Sequence, residues 1–274
     1  EVETVRRALA GLLEGRTLAR VEILDGRLVQ PSDPLAIAAE LTGETVRRVD
    51  RRGKYLLLRL VGGRVLVVHL RMTGAFLAGA AAVPGLPHQR ALLQLDDGSR
   101  IAFRDVRRFG TWTLLEPGEL RPYLAARLGP EPLGSFSAGD LAHRLSGRVA
   151  PIKAVLLDQK AIAGVGNIYA DEALWRSRIH PLAPAAALSP RQVRSLHRAV
   201  RAALQAGIAR QGATLRDYRS PDGSAGGMQD EFKVYGRDGE PCPRCGRAIA
   251  KTRVAGRGTH FCPRCQRAPG SVPG

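Results

Sequence analysis

Apolar residues recur with two different periods, which divide the chain into two halves. Near the start, one face of a helix over 2–13 is predicted to carry Val2, Val5, Leu9, Leu12 and Leu13. From about 18 to 115, short apolar runs separated by Gly, Pro and Asp predict strands instead, and Asp97-Gly98 predicts a hairpin turn. The candidate strands are Val21–Leu24, Tyr55–Leu60, Val65–Leu70, Ala91–Leu95 and Thr111–Leu115. This half is predicted to be an antiparallel β-sandwich with a leading helix.

The second half has helical spacing. Helices are predicted near 138–145, 151–160, 167–177 and 189–210, with a glycine turn at Ala163–Asn167 and a mobile loop over 216–227. The fold class is therefore α+β. The predicted boundaries are 1–127 for the β-sandwich, 128–136 for a Pro/Gly-rich linker, 137–227 for the helical domain with its loop, 228–267 for a ribbon and 268–274 for a tail.

The ribbon is predicted from the cysteines. The chain has four, Cys242, Cys245, Cys262 and Cys265, in the pattern C-x2-C-x16-C-x2-C. Two-residue gaps let each pair turn both thiolates toward one tetrahedral ion, and the long gap fits a β-hairpin between the pairs. Two disulfides are the alternative, but the absence of a secretory leader indicates a reducing compartment. We predict one structural Zn²⁺, because four protein ligands leave no position for water or substrate.

The composition points to a polyanionic partner. Lys and Arg number 42 against 25 Asp and Glu, a net charge of +17. Such an excess steers a protein onto nucleic acid, although a genome that encodes arginine often would explain part of it. The predicted hairpin is itself basic, and Arg257 lies between Gly256 and Gly258, where backbone can approach a phosphate closely. A solvated arginine on a turn is the alternative. The sequence has no run of 18 apolar residues, so no membrane span is predicted.

Three turns of the β-half carry candidate DNA-contacting residues. Lys54 follows a glycine at the start of a strand, Met72 lies in a turn after another strand, and Arg107 and Phe109 share a third turn. Apolar wedges and arginines at turns are what a protein needs to replace a base that has left the duplex. Taken singly, Met72 and Phe109 are more typical of core residues.

These segments together resemble the formamidopyrimidine-DNA glycosylases, bacterial enzymes that remove 8-oxoguanine and ring-opened purines. The resemblance runs from the first residue to the last cysteine. It rests on Glu1–Arg7, Arg52–Leu56, His69–Gly74, Arg107–Gly110, Leu128–Leu133, Lys153–Asp171 and Gly256–Gln266. It implies an N-terminal β-sandwich, a helix–two-turn–helix module and a zinc ribbon, with DNA bound between the halves.

The resemblance also implies roles for single residues. Lys54 resembles a lysine that supports the lyase reaction, and Arg257 resembles the finger arginine that grips phosphates at the lesion and aids the second elimination. Met72, Arg107 and Phe109 resemble the three residues that fill the void, with Arg107 facing the orphaned cytosine. Further DNA-binding positions are His88, Arg108, Lys153 and Asn167. Residues 216–227 resemble the loop that closes over the everted base.

The sequence departs from the family pattern at two places. The family begins Pro-Glu-Leu-Pro before Glu-Val-Glu-Thr, whereas this chain starts at Glu1, so the N-terminal proline nucleophile and its neighbouring acid are absent. We expect that the first residues were trimmed, that the native protein is active and that the chain as it stands binds lesions without full catalysis. The second departure is Val106, where the family has proline.

The expected function is excision of oxidised purines from duplex DNA by a glycosylase that is also an AP lyase, working through a Schiff base and β,δ-elimination. A non-catalytic zinc-ribbon protein that binds duplex DNA is the alternative, and an RNA- or ribosome-associated protein fits the charge but not the wedge residues. The expected partner is damaged double-stranded DNA, with no membrane. A monomer in the bacterial cytoplasm, associated with the nucleoid, is expected.

Overall fold

The computed structural model describes residues 1–79, 82–214, 221 and 223–268. Its helices are α1 (Val2–Leu13), α2 (Pro34–Leu41), α3 (Leu120–Ala125), α4 (Ala138–Leu145), α5 (Ile152–Leu157), α6 (Asn167–Ser177) and α7 (Pro190–Ala209). Its strands are β1 (Leu18–Ile23), β2 (Val46–Arg52), β3 (Tyr55–Leu60), β4 (Val65–His69), β5 (Gly74–Ala78), β6 (Gln89–Leu95), β7 (Arg100–Asp105), β8 (Thr111–Leu115), β9 (Ala250–Val254) and β10 (Arg257–Phe261).

The described chain divides into two compact units. The first comprises 1–124 and 210–229, and the second comprises 125–209 and 230 onward. Residues 210–227, which the sequence grouped with the helices, therefore fall in the unit that holds the strands of the sandwich. Within the described ranges, no helix combines the length and the apolar character that crossing a membrane requires.

The first unit is the predicted β-sandwich. Two antiparallel sheets, ordered β1-β6-β7-β5 and β2-β3-β4-β8, enclose one apolar core. α1 adds Val5, Leu9 and Leu13 to that core, since these residues share one helical face. Phe76, Phe103 and Trp112 form its aromatic centre, with ring centroids 5.1 to 6.1 Å apart. The expected Asp97-Gly98 turn joins β6 to β7, where Gly98 takes a positive φ of 81°.

The second unit holds α4 to α7 and the two-stranded ribbon of β9 and β10. α6 and α7 pack closely because Gly207 has no side chain: a Cβ there would lie 2.5 Å from the ring of Tyr169. The stretch expected to be a linker also packs within this unit. Leu128 and Gly129 are buried, and Gly129 N donates to Gln159 O at 2.8 Å, so these residues form part of the helical core instead of an exposed spacer.

Candidate nucleic-acid interface

The first unit presents its candidate residues on turns at the ends of strands. Met72 lies between β4 and β5, and Arg107 and Phe109 lie between β7 and β8. The side chains of Met72 and Phe109 are exposed, at 59% and 52%, and are not core residues. The Arg107 guanidinium lies 4.8 Å from the ring centroid of Phe109. An exposed thioether, an exposed ring and a stacked cation are therefore available to a partner.

One buried carboxylate joins these two turns. Asp105, at the end of β7, is 1% exposed. Its Oδ1 accepts from the Thr73 hydroxyl, and its Oδ2 accepts from Gly110 N at 2.7 Å. Thr73 Oγ1 in turn accepts from Arg107 N at 3.0 Å. The backbone beside Met72 and the backbone on both sides of Phe109 are thus fixed through a single side chain, which sequence reasoning did not single out.

Two other predicted DNA-binding residues lie near this carboxylate. His88, exposed with a positive φ of 66°, accepts at its carbonyl from Asp105 N at 3.0 Å. Arg108 forms a bidentate pair with Asp25, with Nε and Nη2 at 2.6 and 2.8 Å from the two carboxylate oxygens. This pair lowers the pKa of Asp25, mainly through the Arg108 hydrogen bond. Arg108 is therefore already held by an acid, although 41% of its side chain is exposed.

Lys54 lies in the turn between β2 and β3, directly after Gly53, whose φ is 58°. The turn is tied to the start of the chain by Arg51, which donates to Gly53 O at 2.8 Å and pairs with Glu3 at 3.3 Å. Arg6 and Arg7 also bind Glu3. Although burial raises the pKa of this carboxyl, the arginines bring it below its usual value. The beginning of α1 and the Lys54 turn are thereby held together by one ionised acid.

His69 lies beside this turn and is kept neutral. It pairs across the sheet with Tyr55, with ring centroids 4.7 Å apart, and its Nδ1 accepts from Arg71 N at 3.0 Å. Burial lowers its pKa to about 4, and the charges of Arg71 and Lys54 add to the effect. Since the folded-state value is below the unfolded value of about 6.5, stability is complete above pH ~6.5 and falls as the pH drops toward 4.

We expect the ring proton resonances of His69 to show no titration between pH 8 and 5.5, when assigned by comparison with the His69→Gln variant. The variant should also lose part of the pH dependence of the free energy of unfolding between pH 6.5 and 4. A His69 midpoint near 6.5 would contradict the buried, cation-flanked environment.

In the second unit, three predicted residues converge on the ribbon tip. Ala255 and Gly256 form its turn with positive φ values of 48° and 74°, and Arg257 begins β10 with an exposed side chain. Asn167, the first residue of α6, donates from Nδ2 to Gly258 O at 3.0 Å. Lys153 Nζ donates to the same carbonyl at 2.9 Å. The tip is therefore anchored to α5 and α6 one residue from Arg257.

Lys153 does not lie where direct contact with DNA would need it. Its side chain is fully buried and pairs with Asp171 at 2.6 Å, and its Nζ also donates to Thr259 Oγ1 at 2.7 Å. Burial lowers the pKa of Lys153, and Asp171 opposes that effect. Asp171 Oδ2 also accepts from His260 N at 2.9 Å. Lys153 and Asp171 thus position the ribbon tip, whereas the exposed Arg257 is free to face a ligand.

The glycine turn before α6 is shaped by one side chain. Gln159 accepts from Gly164 N at 2.9 Å and donates to Val165 O at 3.0 Å. Gly164 has a φ of 87°, which L side chains rarely adopt. This bracing fixes the direction in which α6 begins, and therefore the position of Asn167.

The four cysteines form the expected metal site. Their Sγ atoms all lie within 4.8 Å of one another, and those of Cys245 and Cys262 are 3.5 Å apart, well beyond a disulfide bond. Tetrahedral zinc with Zn–S bonds of about 2.3 Å needs sulfurs about 3.8 Å apart, so the four thiolates fit one Zn²⁺. Gly246 supplies the positive φ of 73° that the first knuckle requires. The site is structural, because all four ligands come from the protein.

Buried groups of α6 hold the ribbon along its length. Glu172, fully buried, accepts at Oε1 from the backbone N–H groups of residues 233, 234 and 235 at 2.9 to 3.0 Å. Trp175 Nε1 lies 3.5 Å from Cys242 Sγ, and Gln266 donates to Ile179 O at 2.9 Å. The zinc site therefore fixes the ribbon on the same helix whose first residue is Asn167.

The loop expected to cover a lesion falls only partly within the described residues, since 215–220 and 222 lie outside them. The segments on either side of it meet. Ala213 bridges to Gly227, and Gly226 N donates to Thr214 Oγ1 at 2.9 Å. Gln229 closes the same neck by accepting from Thr214 N at 3.1 Å.

Comparison with known proteins accounts for this arrangement. Residues 1–112 match the formamidopyrimidine-DNA glycosylase N-terminal domain, 128–219 the H2TH domain of the same proteins, and 239–268 the zinc finger found in FPG and IleRS. A formamidopyrimidine-DNA glycosylase of Symbiobacterium thermophilum is 49% identical over 257 residues, covering 93% of this chain and 84% of the relative. That of Chloroflexus aurantiacus is 48% identical, covering 93% and 92%.

Solved structures agree with these matches. The crystal structure of MutM from Thermus thermophilus superimposes with a TM-score of 0.88 at 46% identity, covering 100% of this chain and 98% of that one. The Lactococcus lactis protein in complex with DNA containing an abasic site gives a TM-score of 0.92 at 38% identity, covering 98% of both chains. With both halves and the ribbon matched at this level of identity, the chain belongs to the formamidopyrimidine-DNA glycosylase family.

Proposed function

We propose that this protein is a DNA glycosylase and AP lyase of base-excision repair that removes 8-oxoguanine and formamidopyrimidines from duplex DNA. The relatives that it matches are named formamidopyrimidine-DNA glycosylases, and Lactococcus lactis relatives have been solved with DNA that contains a Fapy-dG lesion or an abasic site. The family membership supports the glycosylase reaction directly. The lyase reaction, the lesion preference and the residue roles are part of the proposal.

The observation that carries the proposal is the pair of exposed apolar side chains on turns fixed by Asp105. Met72 and Phe109 are more than half exposed, although the residues that follow them, Thr73 and Gly110, donate to a buried carboxylate through the Thr73 hydroxyl and Gly110 N. Burying an exposed apolar side chain is favourable in free energy. A base stack that has lost one base has a gap with apolar walls, into which such a side chain fits. Arg107, stacked on Phe109, supplies hydrogen-bond donors for the orphaned cytosine.

The ribbon tip supplies the grip on the phosphates. Arg257 is exposed, and Asn167 lies beside the same tip, where its Nδ2 donates to Gly258 O. A guanidinium and an amide N–H at a helix N-terminus form a favourable environment for phosphate oxygens. Exposed His88 and the outer face of Arg108 add further basic contacts on the first unit.

The proposed chemistry is amine catalysis. The N-terminal amine of the family's opening proline attacks C1′, the bond from C1′ to the damaged base breaks, and the base leaves with its electron pair. Ring opening yields an iminium, whose acidified C2′ proton is lost as the 3′ phosphate departs, and a second elimination releases the 5′ phosphate. Lys54, in the turn tied through Glu3 to the start of α1, is proposed to support these proton transfers.

The test is borohydride trapping on a duplex with 8-oxoguanine opposite cytosine. One protein carries Pro-Glu-Leu-Pro before Glu1, a second begins at Glu1, and a third carries Gly-Glu-Leu-Pro as the matched control. A covalent adduct with the first protein alone supports the proline nucleophile and the lyase reaction. Tight duplex binding without an adduct from any of the three would overturn the catalytic proposal and favour a non-catalytic DNA-binding protein.

We expect Arg257→Ala to weaken binding to every duplex by several-fold to tenfold and to reduce the salt slope by about one phosphate contact. The change removes one cation from the exposed start of β10 and leaves the anchoring bonds of Gly258 in place. Binding is measured by fluorescence anisotropy at 50 to 200 mM salt. Arg247→Ala, an exposed arginine beside the first cysteine pair, is the control and should keep the wild-type slope. Unchanged affinity and salt slope in Arg257→Ala would contradict the proposal that Arg257 binds the phosphates.

We also propose that the protein acts as a monomer at the bacterial nucleoid. All of the relatives named above are bacterial, and the strong positive charge favours retention on chromosomal DNA. Sedimentation of the free protein and of its complex with a lesion duplex tests the monomer.

A further inference from the structure

A basic recess lies in the second unit at the end of α6 away from Asn167. It is an open pocket of about 380 Å³. The residues that line it are Trp175, Arg176, Ser195, Arg198, Ala199, Ala202 and Arg244. Three arginines, two alanines and the indole of Trp175 thus share the lining, and no acidic side chain is among the lining residues.

The three arginines are not equivalent. Arg244 is fixed, since it stacks on Trp175 at 4.0 Å and donates to Trp175 O at 3.0 Å. Arg176 is half-buried, and within the described chain its Nε is enclosed and has no hydrogen-bond partner. Arg198 is exposed on α7. The recess therefore offers one rigid cation, one half-buried cation and one exposed cation, and this cluster of positive charge favours an oxyanion ligand.

The recess is remote from the proposed phosphate grip. Trp175 follows Asn167 by eight residues of continuous helix, a rise of about 12 Å. Arg244 lies in the cysteine knuckle, whereas Arg257 lies at the opposite end of the hairpin. The three arginines therefore lie outside the group of residues proposed to grip the phosphates at the ribbon tip.

Its apolar lining distinguishes between polyanions. Ala199, Ala202 and the indole of Trp175 give the lining apolar surface beside its three cations, and burying such surface is favourable only with an apolar partner. A sugar–phosphate backbone brings charge but no apolar side chain. An acidic peptide brings both, because carboxylates can pair with the guanidiniums while a neighbouring aliphatic side chain covers the alanines.

We propose that this recess, the Arg176–Arg198–Arg244 pocket, binds an acidic segment of a partner protein in which carboxylates flank an aliphatic residue. The partner docks on the second unit by its charge and by one apolar side chain. This inference goes beyond the proposed repair reaction and does not depend on it.

The test uses a fluorescein-labelled decapeptide with three aspartates around one leucine in a Gly/Ser background, titrated with the full chain and followed by anisotropy. Arg198→Gln should weaken binding at least tenfold. The matched control is Arg191→Gln, an exposed arginine in the first turn of the same helix, which should stay within twofold of the wild type. Ala202→Leu enlarges a side chain of the pocket lining without changing the charge, and it should weaken binding about fivefold or more.

Two changed peptides and a competitor identify the ligand. Replacing the aspartates with asparagine should abolish binding, and replacing leucine with serine should weaken it several-fold. An undamaged 14-base-pair duplex should leave the peptide bound. Equal losses in Arg198→Gln and Arg191→Gln, no loss in Ala202→Leu, equal binding of the serine peptide, or displacement by the duplex would each overturn the proposal.

A fold control and a separate activity control accompany these measurements. Zinc content and far-UV circular dichroism of Arg198→Gln should equal those of the wild type. Its borohydride trapping on the lesion duplex should also be unchanged, because Arg198 is not part of the proposed catalytic or phosphate-binding groups. Failure of trapping in every protein, with peptide binding intact, would contradict the proposed function and leave the acidic-peptide site standing.

Discussion

Asp105→Ala is expected to bind a lesion duplex at least tenfold more weakly and to lose the preference for cytosine opposite the lesion that Arg107 is proposed to provide. The change leaves the Thr73 hydroxyl and Gly110 N without their acceptor, and both donors lie in a buried environment. Each stranded donor costs about 1–3 kcal/mol, so we also expect the free energy of unfolding to fall by about 2–4 kcal/mol. The binding loss follows because the turns with Met72, Arg107 and Phe109 are no longer held in one arrangement.

Opposite-base preference separates positioning from mere destabilisation. Affinity is measured for 8-oxoguanine paired with cytosine and with adenine, at a temperature where all variants are folded. Asp105→Asn keeps one acceptor and should give an intermediate ratio. Asp97→Ala removes an exposed carboxylate of the β6–β7 turn that accepts from Ser99 N at 2.9 Å and pairs with Arg16 at 3.1 Å, and it should behave as the wild type. A wild-type ratio in Asp105→Ala, with reduced stability, would mean that the carboxylate is only structural.

Cys262→Ser is expected to lose zinc and to unfold the ribbon, with duplex binding reduced by two orders of magnitude or more. Cys262 is buried, and a short hairpin has too little apolar core to fold without its metal. Loss of the ribbon removes Arg257 and also the Gly258 carbonyl that accepts from Asn167. Zinc content measured by mass spectrometry and binding measured by anisotropy report the two effects independently.

Pro263→Ser is the matched control for this variant. It places the same residue at the next, exposed position of the knuckle and should retain zinc and duplex binding. Cys262→Ser with full zinc occupancy would contradict the four-thiolate site. Loss of zinc with unchanged duplex binding would contradict the dependence of the phosphate grip on the ribbon.

Local sequence patterns were sufficient to predict the sandwich, five of the seven described helices and the zinc site. The expected strands Tyr55–Leu60 and Thr111–Leu115 have these bounds in the structure, and α6 covers the expected 167–177. Period and cysteine spacing are local properties, so the chain displays them without knowledge of the fold. α2 was missed, although Asp33-Pro34 is a typical helix start in which the Asp33 carboxylate caps Ala36 N.

The buried polar residues could not be predicted in this way. Asp105, Asp171 and Glu172 all bind groups that are distant in sequence or that belong to other turns. Their environment arises only when strands and helices assemble, and an isolated acid has no periodic signature. Lys153 was expected at the DNA surface for the same reason. A lysine between Ile152 and Ala154 gives no indication that its side chain is buried in an ion pair with Asp171, eighteen residues later.

Exposure of apolar residues was equally hidden. Met72 and Phe109 singly resemble core residues, and only the turns on which they lie place them outside. Those turns depend on Gly110, where a Cβ would lie 3.0 Å from both Asp105 Oδ2 and the Phe103 ring. The sequence shows an aspartate and a glycine five residues apart at Asp105 and Gly110. It does not show that Asp105 also binds Thr73, because Thr73 belongs to a different turn.

The ribbon and α6 have matched lengths. From Asn167 to Trp175 the helix rises about 12 Å, and from Gly258 to Cys262 four extended residues span about 13 Å; the two segments are joined at the tip by Asn167 and near the metal by Trp175. Inserting two residues into the hairpin alone would carry Arg257 past the end of the helix by several ångströms, with the metal still bound. Chimaeras that exchange ribbons between relatives should therefore tolerate large changes in charge, but not a change in the number of residues between the tip and the second cysteine pair.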